Sequence, residues 1–385
     1  MEWIELGKLA NIEIGKTPAR KNSKYWKGDY TWVSIADMKD KYISDSREKI
    51  SKLALKETNI KIVPKGTVIM SFKLSIGKRA ITEKDLYTNE AIAAFHIKDG
   101  NILEANYLYY VLGFIDLTRD TDRAVMGKTL NKSKLSRIKI PVPPMETQEK
   151  IVQALDQAQA LIDKRKEQIE ALDQLIESIF YTMFGDPVRN EKGWAVKKLG
   201  TTTEIITGNT PPRKDAENYG NYIEWIKSDN INTPYTYITE AKEYLSKIGK
   251  EKGRYVPKNS ILMTCIAGSL NCIGNVAITD REVAYNQQIN GFIPKEYSLY
   301  FLYSLFSFSK EFIQNNSTSS MKGMISKGTL SDLEYIVPPL SLQKEFAQKV
   351  EVIEKQKEVL EESLELMEEN YKSIMDKAFK GQLFN

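Results

Sequence analysis

Two cysteines and one histidine in 385 residues leave little material for thiol or metal chemistry. Cys265 and Cys272 are separated by six residues and form no CxxC pair, so neither a disulfide framework nor a zinc site is expected, and a reducing cytoplasm fits. His96 stands alone, which argues against His-based acid–base or metal chemistry. No apolar run approaches the roughly 18 residues that span a bilayer. The opening Met1-Glu2-Trp3-Ile4-Glu5 lacks a basic stretch leading into an apolar one, so no signal peptide is expected. Gly15-Lys16-Thr17 and Gly127-Lys128-Thr129 resemble the tail of a phosphate-binding loop, but Ala10 and Asp122 stand where such a loop needs glycine. GxGxxG and HExxH are absent. No catalytic residue, metal ligand or cofactor is assigned.

What the chain does have is charge in blocks and a repeat. Residues 1–145 carry 26 Lys and Arg against 17 Asp and Glu, and residues 186–340 carry 18 against 16. Residues 146–185 carry 4 against 8, and residues 341–385 carry 7 against 10. Basic blocks suit a polyanion; acidic ones are poor candidates for lying on nucleic acid. The repeat has a period near 195 residues. Gly15, Thr17-Pro18, Trp32 and Val63-Pro64-Lys65 recur as Gly208, Thr210-Pro211, Trp225 and Val256-Pro257-Lys258. Asn89, Ile92 and Phe95 recur as Asn286, Ile289 and Phe292, and Val142-Pro143-Pro144 with Gln148 recurs as Val337-Pro338-Pro339 with Gln343. A period this long means a domain plus an appendage, not a solenoid.

The appendage reads as a helix. After Pro143-Pro144, apolar residues recur in steps of four and three: Ile151, Leu155, Ile162, then Ile169, Leu172 and Ile176, with Arg165 the polar member. After Pro338-Pro339 the same register gives Phe346, Val350, Lys357, Leu360, Leu364, Met367 and Tyr371. A 3.5-residue period over about five heptads is a coiled-coil seam. The proline pairs set the starts; Gly185-Asp186-Pro187 and Gly381 mark the ends. Each helix should run about 60 Å at 1.5 Å per residue. Arg165 and Lys357 are read either as fixing helix register or as long side chains leaving the seam along their stems. The acidic outer faces are read either as a partner surface or as solvated charge.

The rest of each copy reads as mixed α/β, with β-rich runs at 67–72 and 260–264 and helices at 105–114 and 300–306. The expected fold class is therefore α+β: two globular domains at 1–145 and 186–340, each followed by a helix, at 146–185 and 341–385. If the helices pair antiparallel, the two domains are related by a pseudo-two-fold axis and can each occupy one of two separated sites on a DNA duplex.

Three segments of each copy have the composition of a DNA reader. The first holds Lys16, Thr17, Arg20, Lys21, Lys24 and Tyr25; its counterpart holds Asn209, Thr210, Arg213, Lys214 and Tyr219. The second holds Lys73, Ser75, Lys78 and Arg79 against Ser269 and Asn271. The third holds Lys128, Asn131 and Lys132 against Ser319, Lys322 and Lys327. Cations and hydroxyls suit phosphates; Asn, Gln and Arg can pair with base edges, which adds Gln287 within Asn286-Gln287-Gln288. The plainer reading of each is a solvated loop.

The order of domain, helix, domain, helix resembles the specificity (S) subunits of type I restriction–modification systems. The matching motifs are GKTP (15–18) and GNTP (208–211), Trp32 with Asp37, Trp225 with Asn230, and the helix entries IPVPPMETQEKIV (140–152) and IVPPLSLQKEF (336–346). Leu342 departs from Thr147, and Asn230 from Asp37. The resemblance covers the whole chain. It implies a non-catalytic subunit whose domains are target-recognition domains for the two parts of an asymmetric bipartite site on double-stranded DNA. It also implies spacer helices that bind two methylation (M) subunits, with restriction (R) subunits reached through them. An adenine methyltransferase would carry Asn/Asp-Pro-Pro-aromatic; here the Pro-Pro pairs follow Val142, Val337 and Thr210. Asp229 with Glu240 and Lys242 only faintly imitates a nuclease site. The alternative from another class is a coiled-coil adaptor whose basic domains bind a non-DNA partner; it would lack salt-sensitive, sequence-selective DNA binding.

Overall fold

The structure is a computed structural model and describes residues 1–117, 122–124, 127–318 and 323–384. The chain forms two compact units. One comprises Met1–Arg165 with Ser363–Asn385, and the other Lys166–Glu362.

In the first unit a five-stranded sheet has the spatial order Ala10–Ile14, Ile92–Ile97, Val68–Ser71, Arg79–Thr82, Tyr42–Ile43. All neighbours are antiparallel except the last pair. Val68-Ile69-Met70-Ser71 is apolar without alternation because both of its faces are buried. Val68 and Met70 enter one core; Ile69 enters another with Ala80, Ile92 and Ala94, as the two-residue period of a strand requires. Ala105–Phe114 covers the first face, its N-terminus capped by the Glu104 carboxylate accepting from the Tyr107 amide at 2.6 Å. A three-stranded sheet, Glu48–Ile50, Tyr30–Val33 and Tyr87–Thr88, carries a third core around Trp32 and Ile50.

The second unit repeats this plan. Its four-stranded antiparallel sheet has the order Thr203–Thr207, Ile289–Pro294, Ile261–Thr264, Val276–Ile278. A parallel bridge from Tyr237 to Ile278 stands where Tyr42 pairs with Ile81. Ile261 and Met263 face one core and Leu262 the other. Leu299–Phe308 is the covering helix, longer at both ends than the 300–306 expected, with Phe301, Leu302, Ser304, Leu305 and Phe306 buried and its other residues half-buried.

The long helices span Met145–Phe184 and Leu340–Phe379. Each begins at its proline pair, where Pro144 and Pro339 carbonyls accept from the Thr147 and Leu342 amides. Each stops at a glycine with positive φ, +75° at Gly185 and +72° at Gly381. Within the first unit, Ile151 and Leu155 share a core with Ala378 and Phe379. Within the second, Phe180 and Phe184 meet Phe346, and Asp173 meets Lys357. Of the expected seam, Ile151, Leu155, Ile162, Ile176, Phe346, Val350 and Lys357 are buried; Arg165, Ile169, Leu172, Leu360, Leu364, Met367 and Tyr371 are half-buried. Lys357 does not leave the packing along its stem. It is 4% exposed and its ammonium lies 2.6 Å from Asp173. Burial alone would push that ammonium down, but the hydrogen bond to Asp173 and the nearby Glu354 and Glu361 outweigh it and hold the pKa above its ordinary value. No helix among the described residues is long and apolar enough to cross a membrane.

Candidate nucleic-acid interface

The loop that leaves the edge strand of each sheet is pinned the same way in both units. Gly15 and Gly208 pass so close to a neighbouring turn that a Cβ would lie 2.3 Å and 2.2 Å from the carbonyl oxygens of Asn89 and Asn286. The next residue reaches the C-terminal end of a short helix. Lys16 Nζ donates to the Thr58 carbonyl at 2.6 Å, and Asn209 Nδ2 to that of Lys252 at 2.8 Å. The indole of Trp32 donates to the Lys16 carbonyl and that of Trp225 to the Asn209 carbonyl. Thr17 donates to Glu90, and Thr210 to Gln287.

The arginine that follows stays exposed but is tied down over the loop. Arg20 makes a two-pronged contact with Glu48 and stacks over Trp26 at 3.9 Å and Trp32 at 5.0 Å. Glu48 lies directly across the sheet from Trp32. Arg213 pairs with Glu243 at 2.8 Å and stacks over Tyr219 at 4.7 Å and Trp225 at 4.9 Å. The hydrogen bond to Glu48 holds the Arg20 guanidinium above its ordinary pKa against the opposing effect of burial. Glu243 is held below the usual carboxylate range by its hydrogen bond to Lys227, with Arg213 adding to it.

Around these clamps the other expected residues fall into place. Lys21, Lys24 and Lys214 are exposed on the same loops. Tyr25 donates to Glu57 at 2.6 Å and Tyr219 to the Pro211 carbonyl at 2.6 Å. Lys78, Ser75, Ser269 and Asn271 are exposed, and Lys73 lies 5.3 Å over the Phe72 ring. Arg79 instead turns into the fold: its guanidinium lies 4.6 Å over Tyr109, against Gly113 of the covering helix. Asn131 accepts from the Lys134 amide at 2.9 Å and so caps a short helix that Lys132 opens; Ser326 and Lys327 repeat this arrangement. Asn286 accepts from the Gln288 amide within its own turn, leaving Gln287 as the exposed member of its triplet. The Lys128 side chain, Ser319 and Lys322 lie outside the described residues.

Two segments of each copy bond to one turn, 88–91 in the first unit and 285–288 in the second, and the third segment bonds to the second of them. Lys16 donates its amide to the Thr88 carbonyl, Phe72 to that of Ala91, and Leu130 to that of Phe72. Asn209 donates to Tyr285, Cys265 to Gln288, and Ile325 to Cys265. Segments far apart in the sequence, at 16, 72 and 130 and at 209, 265 and 325, are thus bonded into one surface in each unit. Sequence reasoning missed what holds it: Glu48, Glu57, Glu90 and Glu243. The signal available was Glu48 and Glu243 recurring at the repeat spacing.

Two further residues join each of these units to its long helix. Gln148 and Gln343 are fully buried. Gln148 accepts from the Glu104 amide at 3.0 Å and donates to the carbonyls of Ile102 and Pro143. Gln343 accepts from the Ser298 amide at 2.9 Å and donates to the carbonyls of Glu296 and Pro338. The glutamine of the helix-entry motif thus ties the helix start to the N-terminus of the covering helix.

Comparison with known proteins agrees with this architecture. The profile of the type I restriction modification DNA specificity domain matches residues 1–172 and again 191–369. The chain belongs to that family of specificity subunits. The MjaIX specificity subunit of Methanocaldococcus jannaschii is 25% identical over 380 residues, covering 89% of this chain and 84% of that protein. The HindI specificity subunit of Haemophilus influenzae is 32% identical over 170 residues, covering 43% of this chain and 33% of that protein. A crystal structure of an S subunit from M. genitalium aligns over 98% of this chain and 96% of its own, with a TM-score of 0.54 and 13% identity. A structure from work on complex assembly and conformational transition of the type I system aligns over 99% and 98%, with a TM-score of 0.57 and 17% identity. At these identities the structures speak for the fold: mixed α/β, two domains, long helices.

Proposed function

We propose that this chain is a non-catalytic reader of a bipartite duplex DNA site within a cytoplasmic type I restriction–modification complex. The three-segment surface of 1–145 reads one half-site and that of 186–340 the other. The helices of 146–185 and 341–385 pair as an antiparallel coiled coil that sets the distance between half-sites, and they carry the surface for two M subunits, through which R subunits attach. The observation that carries this reading is that, in each of two differently lettered units, two polar segments bond to one turn and a third bonds to the second of them. The two surfaces differ, so the half-sites differ: Lys73 and Lys78 face one, and Ser269 and Asn271 the other. The exposed Lys21, Lys24 and Lys214 supply phosphate contacts, and Gln287 is a candidate for an adenine edge. Arg20, Arg213, Thr17 and Thr210 act by holding the loops that carry them.

The test is co-expression with the M subunit encoded beside this chain, followed by single-molecule sequencing of host DNA for methyladenine. The expected result is one asymmetric, two-part methylated motif that disappears without this chain. A stable complex with no new methylation overturns the DNA-reading role and keeps the architecture. Absence of both complex and methylation favours an adaptor with a non-DNA partner.

A further inference from the structure

A polar groove of about 630 Å³ follows the edge strand Thr203–Thr207 of the second unit. Arg254, Lys295 and Lys327 line it with Thr203 and Thr207, and Glu204 is its one carboxylate. All three cations are exposed and have no ion-pair partner among the described residues. This contrasts with Arg213 and Lys227, both tied to Glu243. No described strand pairs with the outer side of Thr203–Thr207, which leaves part of its backbone available as donors and acceptors. The lining contains no Asn, Gln or aromatic residue, so it offers cations and hydroxyls, which suit phosphates, rather than side-chain amides or rings.

The first unit repeats the charges. Lys98 donates its amide to the Leu9 carbonyl as Lys295 does to that of Thr202. Lys132 and Lys327 each open the short helix behind a capping residue. Lys61 and Arg254 each stand two residues before a Val-Pro pair. The three positions are therefore basic in both copies, while the edge strands beside them, Ala10–Ile14 and Thr203–Thr207, keep only Ile12 and Ile205 in common. Lys98 also donates to the Gly7 carbonyl at 2.7 Å, which holds its ammonium at the edge.

We propose that the groove of Arg254, Lys295 and Lys327 in the second unit is a sequence-neutral clamp for the sugar–phosphate backbone of bound duplex DNA, and that the equivalent edge carrying Lys61, Lys98 and Lys132 acts likewise in the first. This rests on the DNA-reading function. The clamps, which take in Lys132 and Lys327 of the third segments, supply affinity and register; the remaining residues of the three-segment surfaces supply the choice of bases.

The experiment uses the full chain assembled with its M subunits and compares it with R254Q/K295Q/K327Q. Affinity for the methylated motif and for a scrambled duplex is measured across salt concentrations. Each lost phosphate contact lowers the slope of log affinity against log salt by about 0.9, so the triple variant should lose roughly 2 to 3 from its slope. Both duplexes should weaken by the same factor, the methylated motif should stay the same, and K295R/K327R should keep the wild-type slope. A wild-type slope in the triple variant, with an unchanged thermal midpoint, overturns the proposal. So does a change in the methylated bases, which would make the groove a base reader. If the wild-type assembly prefers no motif, the function falls, while the slope on scrambled duplex still decides the groove.

Discussion

The two units solve the same packing problem with different side chains, and the substitutions separate framework from filling. Where the first unit joins Lys41 to Asp156 at 2.5 Å, with Tyr110 donating to the same carboxylate, the second has Thr236 donating to Glu354 at 3.0 Å. Where Tyr42 donates to Asn106, Tyr237 meets Tyr300 at 2.7 Å. Phe379 packs on Tyr107 and Phe114 in the first unit; in the second, Phe184, Phe180, Phe301, Phe308 and Phe346 form one aromatic cluster. What does not change is the set of contacts that end on backbone atoms: the loop lysine or asparagine on a helix carbonyl, the indole on the loop, and the buried glutamine at the helix entry.

The comparison can be broken at three strengths. The largest effect is expected at Phe180, which is fully buried among five other rings. F180A should destabilise the second unit by about 3–5 kcal/mol. At the equivalent position of the first unit, the half-buried Met375, M375A should cost only about 1–2 kcal/mol. Urea denaturation of the two variants measures this; equal losses would mean that the aromatic cluster adds nothing beyond ordinary burial. Next come the glutamines. Q148A and Q343A each strip partners from one amide and two carbonyls in a buried joint, and each should cost roughly 3 kcal/mol. A loss at only one of them would show that the joints are not equivalent.

The smallest effect concerns charge. Burial lifts the Glu354 carboxyl above the usual carboxylate range, although Lys357 and Thr236 pull it down. A raised folded-state pKa contributes stability that is fully present below the unfolded value and is lost as pH rises through the folded one. E354Q, which installs the residue found at the equivalent Gln159, should therefore raise the denaturation midpoint at pH 8 and leave it unchanged near pH 4. Equal midpoint shifts at both values would place the carboxylate in water-like surroundings.

The repeat, the long helices and their stops were legible because they are written in spacing: proline pairs, a 3.5-residue apolar period, a terminal glycine. So were the three segments, since their compositions recur. Their orientation was not. Arg20 and Arg213 read as free charges until the strand register brings Glu48 and Glu243 opposite the tryptophans, and Arg79 reads as a loop cation until the covering helix offers Tyr109. Lys357 read as an intruder in an apolar seam because its partner, Asp173, lies 184 residues away. The groove cations are scattered over 254–327 and become a group only when the edge strand runs between them.

The side-chain amides of Gln148 and Gln343 end only on main-chain amides and carbonyls, and at the second joint the Ser298 hydroxyl also donates to the Gln343 carbonyl. Residues 102 and 104 are Ile and Glu in one copy, and residues 296 and 298 are Glu and Ser in the other, yet the same latch closes on both. A fastener indifferent to the lettering of what it holds is an interchangeable mount. At this joint the domain can change its lettering while the glutamine stays; the side-chain pairs between domain and helix, such as Lys41 with Asp156 and Phe301 with Phe180, have to change together.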